Sequence, residues 1–417
     1  MEASVTLNKT CAVVRLGLLG SVIFLAGCSW GWLPWVDGDK KVDNTKPMEL
    51  VKFDREVDIE RSWRTKVGKG LGKKYLRLSP VAVADRLIAT DGYGNVEAMD
   101  RFSGKGIWKT KTHDPEGGFF SGIKIFDRRD PSFVGGLGVG GGYALIGTTF
   151  GEIVALNLSD GTEAWRVELG SEIASSPTVD GELVFTQTID GRLLALNVDS
   201  GEVVWTLDNQ VPILTLRGTS SPVIRDRIVH SGFANGKLVA LRAENGEPIW
   251  EHRVMLPEGR SELDRMVDVD ARAIVEPSVV FAGAFQGRVK ALSRRDGRPR
   301  WEADISTYLD MATGYDQLYV IDDQDVITAL DQNTGEVVWS QENFQRRKLT
   351  APVAFSNYVA FGDDEGYLHI IAQRDGRIMG RRKLDGDGLR STFLYTDSTL
   401  FVLGNSGSLQ ALTVEAL

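Results

Sequence analysis

Cysteine is nearly missing from this 417-residue chain, which has only Cys11 and Cys28. Two cysteines cannot supply a disulfide framework or a cysteine-based zinc site. Histidine is almost as scarce. His113, His230, His252 and His369 are scattered, with no i, i+4 pair and no zinc-protease motif, so they read as surface or strand residues rather than metal ligands. A basic excess is also lacking: 57 acidic against 48 basic residues leave a formal charge of −9, which argues against nucleic acid as a partner. The uncharged run near the start, from Leu16 to Gly27, is 12 residues long. A membrane-spanning helix needs about 20. What the chain does have is glycine, 46 residues of it, and hence frequent turns.

The short apolar run follows Lys9 and Arg15 and reads as a signal-peptide core. It ends in Leu25-Ala26-Gly27-Cys28, which resembles the lipobox of bacterial lipoproteins. That resemblance implies that residues 1–27 are removed and that the Cys28 thiol carries lipid. Because residue 29 is serine and not aspartate, it also implies the outer membrane, with the chain held at the periplasmic face by acyl chains. Residues 28–50 read as a lipidated flexible tether. Its Trp30, Trp32 and Trp35 could seat in the headgroup layer or simply belong to a disordered linker.

Beyond the tether, one pattern recurs. Gly-x-apolar-x-Ala-Leu starts at Gly94, Gly151, Gly191, Gly236 and Gly287, degenerately at Asp325, and again at Gly366 and Gly407. The mean offset is 313/7, about 45 residues, the size of a four-stranded propeller blade. Ten residues after the start stands a turn glycine, as in Asn333-Thr334-Gly335. Fourteen after it stands Trp108, Trp165, Trp205, Trp250, Trp301 or Trp339, the seventh copy departing with Gly380. Pro80, Pro177, Pro222 and Pro352 lie fourteen before it, ahead of short β-branched runs that read as inner strands. Apolar residues on both faces of each sheet call for a neighbour on either side, which a closed ring supplies. The expected fold is therefore all-β: an eight-bladed propeller of four-stranded antiparallel blades over residues 51–417. The eighth copy has no tryptophan strand after it, and the orphan strand around Trp63, from Val57 to Thr65, is expected to complete that blade.

The string Ala329-Leu330-Asp331-Gln332-Asn333-Thr334-Gly335-Glu336-Val337-Val338-Trp339 resembles the repeat of quinoprotein (pyrroloquinoline quinone, PQQ) dehydrogenases. Such enzymes hold their cofactor with an adjacent cysteine pair and a calcium-bound carboxylate site. Here Cys28 would be the sole cysteine after signal removal, so no quinone cofactor is expected and a periplasmic PQQ-dependent dehydrogenase is the alternative reading. Gly135 to Gly142 is glycine-rich but lacks the Lys-Ser/Thr of a phosphate loop, and reads as a flexible insertion. The carboxylates read as a solvated acidic surface.

Two further segments carry a closer resemblance. Val211-Pro212-Ile213-Leu214-Thr215-Leu216-Arg217-Gly218-Thr219-Ser220-Ser221-Pro222 and Glu262-Leu263-Asp264-Arg265-Met266-Val267-Asp268-Val269-Asp270 resemble segments of the BamB family, lipoproteins of the outer-membrane β-barrel assembly machinery (the Bam complex). That resemblance implies a non-enzymatic scaffold that contacts the barrel-forming subunit BamA through Leu214, Leu216, Arg217, Asp268 and Asp270, and that assists unfolded outer-membrane proteins. The register gives a separate reason to look there. Arg217 lies 19 residues before Gly236 and Asp268 lies 19 before Gly287, so both occupy equivalent positions on adjacent blades. An apolar pair beside an arginine and two acids has the make-up of a partner contact, although an Arg217 salt bridge to Asp268 or Asp270 would equally tie two loops together.

Overall fold

Period-two alternation punctuated by glycine turns folds into strands alone. The computed structural model describes residues 46–72, 77–112, 134–212, 220–256, 260 and 266–417, and these hold 32 strands and no helix. They form eight antiparallel sheets of four. Blade 3 shows the pattern, with β10 (Thr178–Asp180) innermost, then β11 (Leu183–Gln187), β12 (Arg192–Asn197) and β13 (Val203–Asp208) outermost. The two middle strands are buried on both faces, whereas β13 is exposed at four of its six residues. The core therefore lies between blades. Leu194 and Leu196 pack with Leu145 and Ile153 of blade 2, while Phe185 and Leu193 pack with Val229 and Leu241 of blade 4. Burying a side chain of that size stabilises by about 1.5–3 kcal/mol.

The repeated tryptophan and glycine form one contact, made seven times. Each indole lies against the turn glycine of the following blade and donates its Nε1–H to the carbonyl three residues before that glycine, at 2.8–3.0 Å, from Trp63 to Arg101 through Trp339 to Gln373. At Gly335, φ is +75° and an added Cβ would come within 2.6 Å of the Trp301 ring, so both backbone and contact require glycine.

Ring closure is as the sequence predicts. β1 (Val57–Lys66) pairs antiparallel with β32 (Ser408–Ala416) as the outer strand of blade 8, from Val57 opposite Ala416 to Lys66 opposite Ser408. The departure at Gly380 now has a cause. In this last interface Val57 takes the place an indole holds elsewhere, its methyl 2.5 Å from where a Gly380 Cβ would be.

Two expectations change. Val134–Gly140 is not a flexible insertion but β6, the inner strand of blade 2, and at 7 residues it is more than twice the length of the three-residue β10. Its glycines are there because the next blade is too close for side chains: a Cβ on Gly135, Gly136 or Gly138 would stand 1.8–2.2 Å from the carbonyls of Ile173, Ser175 and Pro177. Residues 46–50, assigned to the tether, are already docked. Met48 N–H donates to Gln345 O, and Arg347 donates to Met48 O.

Candidate functional site

The strand order decides which residues reach the axis. In each blade, the start of the inner strand and the turn between the second and third strands share one end of the ring, here called the entry face. Because β2 (Val81–Val83), β14 (Val223–Arg225), β18 (Ile274–Val275) and β22 (Ala312–Gly314) are so short, the residues just before them line the axis there. They enclose a cavity of about 770 Å³. Its charged lining is Arg77, Glu172, Asp270, Arg272 and Asp310, with Phe285 and Tyr308 as an aromatic wall. The two rings meet edge to face at 6.2 Å. Arg77 lies 5.0 Å over the Tyr308 ring and donates to Tyr308 O at 3.0 Å, while Arg272 N–H donates to Asp310 Oδ1 at 2.7 Å.

The segment before β18 is wedged between blades 4 and 5. Val267 forms a parallel bridge with Asn235, a turn residue of blade 4, and Phe285 N–H donates to Asp268 O at 2.8 Å. Val267, Val269 and Ala271 are buried. Asp268 is fully buried, in contrast to the solvated surface expected of the carboxylates, and Asp270 is half-buried and lines the cavity. Burial, reinforced by the charges of Asp268 and Asp310 and opposed by Arg77, pushes the Asp270 carboxyl up to about 7.

Leu214, Leu216 and Arg217 lie outside the described residues, as does Cys28. The end of their segment is visible, and it meets the other one: Ser220 is buried and its Oγ donates to Ala271 O at 3.3 Å. The entry segments of blades 4 and 5 thus touch beside Asp270. Sequence reasoning missed Arg77, Tyr308, Phe285 and Asp310. One signal was present, since Arg77 stands 17 residues before Gly94 as Asp270 stands 17 before Gly287.

A second polar cluster, in blade 7, was also missed. Arg347, Asp363 and His369 are buried together. Arg347 Nε donates to Asp363 Oδ2 at 2.8 Å, His369 Nε2 lies 2.9 Å from the same oxygen, and Arg381 Nε donates to His369 Nδ1 at 3.2 Å. Burial works to raise the Asp363 carboxyl, but hydrogen bonds from His369 and Tyr367 N–H outweigh it and hold it low. Burial likewise holds His369 below its usual range. Both imidazole nitrogens are engaged; Arg347 also donates to Met48 O and to Glu365, and Arg381 donates to Val51 O. The cluster clamps the segment before β1 against blade 7.

His230 has yet another role. It is fully buried, has no hydrogen-bond partner, and packs 5.8 Å from Trp250, where Phe185, Phe281 and Tyr319 face the tryptophans of their own blades. Burial, aided by the Arg294 charge, lowers its pKa to about 4, so the ring is neutral and serves as an aromatic.

Repeat, ring and axial cavity define an eight-bladed propeller of the quinoprotein-repeat class. The fold is shared with enzymes: quinohemoprotein alcohol dehydrogenase from Comamonas testosteroni superposes with a TM-score of 0.67 over 85% of this chain and 76% of that one, at 14% identity, a likeness of fold alone. A family profile described as "Outer membrane protein assembly factor BamB" matches residues 93–341 and 322–416. Proteins of that name are 36% identical over 397 residues in Pseudomonas aeruginosa (95% of this chain, 98% of that one) and 33% identical over 407 residues in Yersinia pestis (98% and 99%). The crystal structure of BamB from Moraxella catarrhalis has a TM-score of 0.76 at 26% identity, covering 85% of this chain and all of that one. The chain belongs to the BamB family of outer membrane protein assembly factors.

Proposed function

We propose that this chain is a non-enzymatic scaffold of the outer-membrane assembly machinery, that it docks on BamA through its entry face, and that it helps to deliver or orient unfolded outer-membrane proteins. The observation that carries this reading is the match along nearly the whole chain to assembly factors, at 33–36% identity, supported by the contact of Ser220, at the end of the first BamB-like segment, with Ala271, which directly follows the second. In this reading Leu214 and Leu216 supply apolar contact area and Arg217 pairs with the partner. Asp270 faces the partner across the cavity mouth. Asp268, being buried, acts by holding its loop in place. Anchorage is through lipid on Cys28 at the periplasmic face, and neither cofactor nor nucleic acid is required.

Co-purification of the tagged protein from detergent-solubilised envelopes tests the docking. BamA should elute with it; its absence, or purification of the protein with bound quinone and dye-reducing activity, would overturn the reading. The anchor is tested separately by Cys28→Ser, which should abolish acylation and release the protein from membranes lacking its partners. Acyl groups found at another residue would contradict it.

A further inference from the structure

We propose that the axial cavity is a receptor for a basic side chain of the docking partner, arginine in preference to lysine, with the Asp270 carboxylate as its principal acceptor. This rests on the reading that the entry face docks BamA, and it names the chemistry that the docking group must have.

Asp270 is an acceptor to which no described residue donates. No hydrogen bond or ion pair from the described residues reaches the Asp270 carboxylate, although it is half-buried and opens onto a cavity of about 770 Å³. Buried carboxylates are ordinarily matched by donors, because leaving one unmatched is costly. The two cations in the cavity do not fill the role: Arg77 is spent on the Tyr308 carbonyl and ring, and the Arg272 backbone holds Asp310 while its side chain is exposed. Among the described residues, the charged and titratable groups facing Asp270 come from four entry segments. Asp268 and Arg272 come from its own segment, Arg77 from the entry to blade 1, Glu172 from blade 3, and Tyr308 and Asp310 from blade 6. Acidic side chains on the lining outnumber guanidiniums by one, three to two, so once Asp270 has lost its proton an incoming cation is favoured over an anion. A planar guanidinium can bind a carboxylate with two parallel hydrogen bonds and lie against an aromatic wall, which an ammonium does less well.

The raised Asp270 pKa, about 7, supplies a signature. Only the ionised form attracts a cation, so affinity must rise as pH passes upward through that value, with release of a proton. Two measurements on the mature chain test this. In the first, N-acetyl-arginine amide is added while the Asp270 carboxyl is titrated by carbon NMR, its signal assigned by its loss in Asp270→Asn, with the neutral isostere N-acetyl-citrulline amide as control. The arginine compound should move the midpoint down and the citrulline compound should not. In the second, the affinity for the periplasmic part of BamA is measured from pH 6 to pH 8. Wild type should tighten up to about tenfold, the ratio of the ionised fractions at pH 8 and pH 6 for a carboxyl that titrates at about 7. Asp270→Asn, with an unchanged melting curve, should bind more weakly and without the slope, and Asp270→Glu should restore part of it. If Asp270→Asn keeps both affinity and slope, the receptor is refuted while docking stands. If wild type fails to bind BamA, the docking reading falls and the arginine titration alone decides the receptor, an unmoved midpoint refuting it.

Discussion

At the outer rim, seven tryptophans repeat one hydrogen bond at 2.8–3.0 Å, whereas at the entry face the blades present different residues: Arg77 in blade 1, Asp270 in blade 5, Asp310 in blade 6. Both regions belong to the same repeat. The rim is uniform because its task, holding one blade to the next, is the same at every interface, and any blade that lost the contact would weaken the ring. The entry face is free to vary because only alternate residues ahead of the short inner strands, such as Val267, Val269 and Ala271, are packed between blades, which leaves Asp270 and Arg272 to face the axis. Repetition here marks stability, and departure from repetition marks the place to look for function.

The ring is most vulnerable at its closure. Removing residues 51–66 deletes β1, including buried Val57 and Ile59 and the ladder to β32. Cooperative thermal unfolding should be lost, or its midpoint lowered by tens of degrees, since apolar burial and a full strand of hydrogen bonds vanish together. Removing residues 29–44 should leave the curve unchanged. Equal melting of the two truncations would contradict the ring.

A smaller break targets one contact. Gly335→Ala forces a side chain into a positive φ and against Trp301, and should cost about 2–4 kcal/mol in denaturant unfolding while BamA binding is kept. Smaller again is a repair. His230→Phe restores the aromatic that other blades carry and should stabilise by about 1 kcal/mol. Its gain should depend on pH: the folded-state value of about 4 lies below the ordinary 6.5, so the neutral histidine contributes fully above 6.5 and its contribution falls as pH drops towards 4. Melting curves at pH 5 and pH 7.5 should therefore show the larger gain at pH 5.

The rim was legible in the sequence because its contacts are local and periodic: glycine, tryptophan and their spacing suffice to place each blade, and the orphan strand around Trp63 located the closure. The glycines of β6 misled because glycine-rich sequence ordinarily signals a loop. What required them was the carbonyl of Pro177 in another blade, 1.9 Å from a Gly138 Cβ, which one chain segment cannot announce. The Arg347–Asp363–His369 cluster failed to register for a similar reason, its members being 6 to 22 residues apart and joined across strand and loop. Asp268 and Asp270 were found by resemblance and register. That alternate residues there would be buried, and that only Asp270 would face the axis, depended on blades 4 and 5 closing over the segment from both sides.

The central claim, that partner binding is confined to the entry face and separable from ring stability, is tested most directly by one matched measurement. The Leu214→Ala, Leu216→Ala, Arg217→Ala triple variant is compared with wild type for BamA affinity and for melting temperature in the same preparation. The account predicts a loss of affinity of at least about 30-fold, roughly 2 kcal/mol or more, with an unchanged melting temperature. Full retention of BamA by the triple variant, or a loss of binding that tracks a parallel loss of stability, would contradict it.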